Sequence, residues 1–102
     1  MTDKETRIAR IVVEGVVQRV GYRVFVAREA GRLRLDGWVR NRRDGKVEAL
    51  VAGPHAAVEE FLTAAARGPK TARIDAHSIQ DADAEALREG GGEHGFVAAA
   101  EA

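Results

Sequence analysis

The stretch Gly15-Val-Val-Gln-Arg-Val-Gly-Tyr-Arg23 carries glycines near both ends and finishes on an arginine. A bend of this kind between a strand and a helix can curl successive backbone N–H groups into a nest, and the following helix adds the positive end of its dipole. Such a concavity suits a tetrahedral oxyanion. Arg23, in the first helical turn, would add a permanently charged, forked donor. Against this, glycine-bearing loops of the same kind are common, and a first-turn Arg is ordinarily just solvated. An Arg there opposes the helix dipole by roughly 0.3–1 kcal/mol at an exposed site, and a bound anion would offset that cost.

A second polar candidate is Asn41, which closes Gly37-Trp-Val-Arg-Asn41 just before Asp44-Gly45. Its amide oxygen can accept from a water while its NH₂ donates, so it can orient a nucleophile without being a base. Beside a turn, the same side chain can equally cap backbone groups. Trp38 reads as core or edge packing, and Arg40, Arg42 and Arg43 read as a solvated rim.

The elements that must position these groups follow from hydrophobic period. Ile8 to Glu14 alternates as a strand, with Ala9, Ile11 and Val13 on one side. Tyr22, Val26, Ala30 and Leu33 recur at helical spacing, predicting a helix from Tyr22 to Leu33. Gly37–Asn41 and Lys46–Ala52 are two strand-like runs joined by Asp44-Gly45, a hairpin signal. Gly53-Pro54 opens a second helix, with Val58, Phe61, Leu62 and Ala65 at i, i+3, i+4 and i+7, and Gly68-Pro69 stops it. Thr71 to Gln80 alternates again, with Ala72, Ile74, Ala76 and Ser78 set against Arg73, Asp75, His77 and Ile79. Asp81–Gly92 reads as a solvated loop with room for one helical turn, and a short strand is expected near 95–100. The order β-α-β-β-α-β predicts an α+β, ferredoxin-like split βαβ: an antiparallel sheet carrying two helices on one face. One domain over 1–102 is expected, with its core at about 7–80.

Composition narrows the chemistry. Sixteen basic side chains balance sixteen acidic ones, so any phosphate affinity must be local rather than that of a polyanion binder. There is no Cys, which removes thiolate nucleophiles, thiolate metal sites and disulfides. No apolar run approaches the ~20 residues of a membrane span, and the N-terminus lacks the apolar core of a signal peptide, so a cytoplasmic location is expected. His55, His77 and His94 have no metal-ligand spacing to one another or to a carboxylate, and are read as surface or structural.

The two polar segments together resemble the acylphosphatase family, which carries G-x-V-Q-G-V-x-F/Y-R and, after a helix, G-W-V-x-N-x-x-D/N-G-x-V. This chain reads GVVQRVGYR and GWVRNRRDGKV, and the resemblance continues through Gly53-Pro54, Phe61 and Gly68-Pro69. It implies that Arg23 binds the phosphoryl group, that Asn41 orients the attacking water, and that the amides of Gln18, Arg19, Val20, Gly21 and Tyr22 complete the phosphate cradle. The implied activity is hydrolysis of small acyl phosphates to a carboxylate and inorganic phosphate by direct water attack. No cofactor and no metal are implied. One departure stands out: Arg19 replaces the family's usual Gly. Either position 19 takes a positive φ at a cost of about 1–2 kcal/mol, or Gly21 supplies the freedom and Arg19 projects outward, adding positive potential; the second reading is favoured.

The loop lacks the Lys-Ser/Thr ending of a nucleotide P-loop, which argues against ATP or GTP. An RNA-recognition domain shares the element order but displays aromatics on the helix-free face of strands one and three. Here Ile8, Arg10, Val12, Glu14, Lys46, Glu48 and Leu50 stand in those places, so no nucleic-acid partner is expected. A non-catalytic regulatory or interaction domain of the same fold is the competing reading. The expected partner is a small acyl phosphate, met by a monomer away from any membrane.

Overall fold

In the computed structural model, which describes residues 5–102, the chain runs β1 (Thr6–Val16), α1 (Tyr22–Arg32), β2 (Asp36–Asn41), β3 (Val47–Pro54), α2 (His55–Arg67), β4 (Arg73–Asp81), α3 (Ala84–Glu89) and β5 (Phe96–Ala98). The sheet order is β4-β1-β3-β2-β5. β3 lies between β1 and β2, and β1 lies between β3 and β4, so each strand-helix-strand unit is split by a strand from the other. β5 adds itself parallel to β2, so the sheet is antiparallel except at that edge.

Strand alternation sorts side chains onto two faces. Ala9, Ile11 and Val13 of β1, Val39 of β2, and Val47, Ala49 and Val51 of β3 meet Tyr22, Val26 and Ala30 of α1 and Val58, Phe61, Leu62 and Ala65 of α2. This is the main core. α1 stops at Arg32 because Arg34 turns left-handed, with φ 58. The N–H of Arg34 then donates to Gly31 O and that of Leu35 to Ala30 O, a Schellman stop in which Arg takes the place usually held by Gly. Nothing in Arg32-Leu-Arg-Leu signals that stop, so the helical period ran one residue too far.

The helix-free face departs from expectation. Asp81–Gly92 is not a solvated loop around a single turn: Asp83 caps α3 by accepting from the Ala86 N–H at 2.9 Å. The helix lays Ala86 and Leu87 over Trp38, Leu50 and Ala52 in a second apolar cluster. Trp38 Nε1–H donates to Ala86 O at 2.9 Å, satisfying the indole's polar edge in a buried site. Arg40 is not simply a solvated rim residue, since its guanidinium lies 4.5 Å from the Trp38 ring centre. With Arg10 it also neutralises Glu48, only 3% exposed, at 2.9 and 3.3 Å.

β4 differs as well. It begins at Arg73 rather than Thr71, and its register against β1 shifts between Glu14 and Gly15. That bulge breaks strict alternation. Ile74 therefore packs on the helix-side core, while Ile79 sits with Leu62 and Ala66 of α2, although simple alternation set the two on opposite faces. A side chain at Gly15 would strike the Arg73 carbonyl, so the bulge requires glycine where the chain prepares to leave the sheet.

If α3 is held through Trp38, then Trp38→Phe, which keeps the ring packing but strands the Ala86 carbonyl, should lower unfolding free energy by about 1–3 kcal/mol. Urea unfolding measures this, and an unchanged midpoint would refute it.

Candidate active site

Past Val16 the chain leaves the sheet, and Val17 anchors it by burying in the main core. The next residues alternate in backbone sign. Arg19 and Gly21 have φ of 65 and 82, while Arg19 and Arg34 are the only positive-φ residues other than glycine among those described; Gln18 and Val20 are therefore negative. Alternation of this kind turns successive N–H groups toward one side. Among the described residues, no backbone N–H from Gln18 to Val24 donates to a carbonyl or a side chain, and the first amide to find a partner is Phe25, on Gly21 O at 3.0 Å. The bend and the first turn of α1 thus present one continuous set of unpaired donors.

Four hydrogen bonds, made by three side chains, hold this bend. Gln18 Nε2 donates to Arg42 O at 2.8 Å and to Lys46 O at 2.9 Å, tying it to the β2–β3 hairpin. The Thr71 hydroxyl donates to Val20 O at 2.6 Å, tying it to the turn before β4. The Tyr22 hydroxyl donates to Ala65 O at 2.7 Å, fixing the start of α1 to α2. Burial pushes the Tyr22 phenol well above its ordinary pKa, so it remains a neutral donor. Of the residues expected to bind substrate, Gln18 and Tyr22 are thus committed to the protein through their side chains and face the bend through their amides.

Asn41 is the last residue of β2, two positions beyond Val39. By alternation its side chain shares the face on which α1 and α2 pack. It pairs across the sheet with Val47, which pairs with Val13 of β1. Because Gln18 bonds the carbonyls of Arg42 and Lys46, which flank that pair, the bend is drawn over the end of the sheet to the strand end bearing Asn41. The backbone there is braced from the other side, where the Ala102 N–H donates to Asn41 O at 3.1 Å. Asn41 Oδ1 is the single buried side-chain polar atom among the described residues without a hydrogen-bond partner.

The hairpin forms at Asp44-Gly45 as the sequence predicts, but only Gly45 is left-handed, with φ 91. Asp44 Oδ1 accepts from the Lys46 N–H at 3.0 Å, and that bond, more than the Arg42 charge, holds the Asp44 carboxyl below its ordinary pKa. Arg23 is exposed at the start of α1 and, among the described residues, makes neither an ion pair nor a hydrogen bond with the protein. Arg19 is also exposed. The favoured expectation for it is half corrected: the side chain does project outward, yet position 19 itself takes the left-handed conformation, and Gly21 adds a second such residue instead of relieving the first. Thr71, expected from the sequence to open a strand, lies before β4 and bonds Val20 instead; a hydroxyl followed by Ala72 and Arg73 carries no local signal of that partner. His55, His77 and His94 are all exposed, and no three His, Asp or Glu side chains among the described residues gather as metal ligands.

Comparison with known proteins gives a consistent result. Residues 9–96 match the family model described as Acylphosphatase. A protein named acylphosphatase from Rhodopseudomonas palustris strain BisB18 is 50% identical over 82 residues, covering 80% of this chain and 83% of its own. One of the same name from Moorella thermoacetica is 50% identical over 72 residues, covering 71% and 77%. The crystal structure of acylphosphatase from Bacillus subtilis superposes with a TM-score of 0.78 at 37% identity, over 92% of this chain and 98% of that one. Among the described residues no helix is long and apolar enough to cross a membrane.

Strain at position 19 is directly testable. Arg19→Gly removes the left-handed penalty but adds chain entropy to the unfolded state, for an expected net gain of about 0.5–1 kcal/mol in urea unfolding. A loss of stability would mean that the Arg19 side chain contributes packing that outweighs the strain.

Proposed function

The chain belongs to the acylphosphatase family, and from that membership we propose that it hydrolyses small acyl phosphates by direct attack of water at phosphorus, with Arg23 and Asn41 as the catalytic residues. It is a hydrolase, not a silent copy of the fold. What carries the reading of the site is the unbroken run of unpartnered amides from Gln18 to Val24, with Arg23 among them.

An acyl phosphate is a mixed anhydride whose leaving group is a carboxylate, so departure needs no proton from the protein. The difficulty lies in charge. Phosphoryl transfer spreads charge over the equatorial oxygens, and catalysis is largely positioning and electrostatic stabilisation. The amides of Gln18, Arg19, Val20, Gly21 and Tyr22 and the Arg23 guanidinium hold those oxygens. Asn41 hydrogen-bonds the water and holds it opposite the leaving oxygen; its unpaired Oδ1 is suited to accept from that water. A new O–P bond forms as the P–O bond to the acyl group breaks. The carboxylate leaves with the electron pair, and the water's protons end on inorganic phosphate. No metal or cofactor enters this scheme. Arg19, exposed and left-handed, adds positive potential at the mouth. The enzyme acts as a monomer in the cytoplasm on a freely diffusing substrate.

Release of inorganic phosphate from acetyl, benzoyl or carbamoyl phosphate should therefore proceed in the presence of a chelator. Removing one preorganised donor typically costs roughly 100- to 1,000-fold in rate. Arg23→Ala and Asn41→Ala are each expected to lose at least that while staying folded by circular dichroism. Wild-type turnover no faster than buffer would reject the proposal, and full activity in either variant would reject the role assigned to that residue.

A further inference from the structure

We infer that Thr71 is a positioning residue for the anion-binding bend, acting by locking the Val20–Gly21 peptide so that the Gly21 N–H stays aimed at the bound phosphoryl group. The inference rests on the reading of the site above and assigns a role to a residue outside both sequence motifs.

A peptide unit is planar and trans, so its C=O and N–H point in opposite directions. An N–H turned toward an anion therefore requires its own C=O to be turned away. For the amide of Gly21 that carbonyl belongs to Val20, and it receives the Thr71 hydroxyl at 2.6 Å. Local conformation cannot supply the same lock. Rotating this peptide about its two flanking bonds changes ψ of Val20 and φ of Gly21, and glycine accepts either sign of φ at little cost. Gly21, at φ 82, is thus free to let its N–H swing away, and it makes no side-chain cap hydrogen bond. The neighbouring peptide is secured differently, since Gly21 O accepts from the Phe25 N–H as part of the helix. Thr71 is the one donor among the described residues that reaches Val20 O.

The hydroxyl is itself well placed to act as a latch. Thr71 sits in the turn between α2 and β4, closed by the Ala72 N–H donating to Pro69 O at 3.1 Å. A side chain at Gly68, just upstream, would meet the Tyr22 ring, so the turn lies close against the start of α1. A hydrogen bond to a carbonyl also polarises the attached N–H and makes it a better donor. Thr71 therefore favours the anion by both direction and strength without touching it.

Thr71→Val removes the hydroxyl and keeps the branched shape, and Thr71→Ser keeps the hydroxyl. In the whole protein, the Val variant should weaken inhibition by inorganic phosphate about 10-fold and lower kcat/KM of benzoyl phosphate by a similar factor, since misaligned groups can cost up to about 100-fold. Its urea unfolding midpoint should match the wild type, and the Ser variant should restore both constants. In ¹⁵N spectra the phosphate-induced shift of the Gly21 amide should shrink in the Val variant alone. Unchanged phosphate inhibition in the Val variant, or a loss that Ser fails to rescue, would overturn the inference. Absence of wild-type turnover would reject the proposed function instead, and the Gly21 shift would still decide the role of Thr71.

Discussion

The structure depends on one constraint: the peptide N–H groups from Gln18 to Val24 must lie side by side with no acceptor from the protein. Leaving peptide donors without a partner in the protein forgoes hydrogen bonds that would stabilise the fold, and bending a chain to gather them needs left-handed residues, which disfavour side chains. This chain accepts both conditions within a few residues, and with Arg19 it accepts the second at a residue that is not glycine. Under the proposed function, an arrangement that is unfavourable for the free protein and complementary to a phosphoryl group is what electrostatic preorganisation requires. In that proposal the groups are set before the substrate arrives, so little reorganisation is left for the reaction.

The rest of the molecule keeps the bend from relaxing. Val17 roots it in the core, Tyr22 pins the first helical turn to α2, Gln18 bridges it to the hairpin, and Thr71 holds it from the turn before β4. These anchors come from three separate parts of the chain, so the bend can be rigid only once the split βαβ topology has brought those parts together. On the other face, α3 and the Arg10–Glu48–Arg40 group stabilise β2 and β3 from below. A buried carboxylate there tolerates its site because two guanidiniums neutralise it. That face therefore supports the strand end bearing Asn41.

What the sequence made legible was whatever is written locally. The strands and main helices repeat their apolar residues with periods of two and 3.6, so the order of elements and the face buried by Val26 or Phe61 could be read directly. The catalytic candidates were legible for a related reason: Arg23 and Asn41 each stand beside a glycine-marked bend whose geometry is short-range. What could not be read was written across long separations. Trp38 meets Ala86 only after the sheet forms, and a six-residue helix is too short to announce itself by period. The bulge opposite Gly15 reversed the facing of Ile74 because it depends on a neighbouring strand. Arg34 ends α1 in a conformation its side chain does not advertise. Gln18 and Thr71 act through partners on distant segments, which no local pattern encodes.

The most direct test of the central claim is a titration of the ¹⁵N-labelled wild-type protein with inorganic phosphate, followed amide by amide. The Gln18 through Val24 amides should shift together and saturate at one common phosphate concentration, with the Asn41 side-chain NH₂ following. Phosphate-induced shifts confined to a separate cleft lined by Arg10, Arg40, Arg42 and Arg43, with the bend unmoved, would contradict that claim.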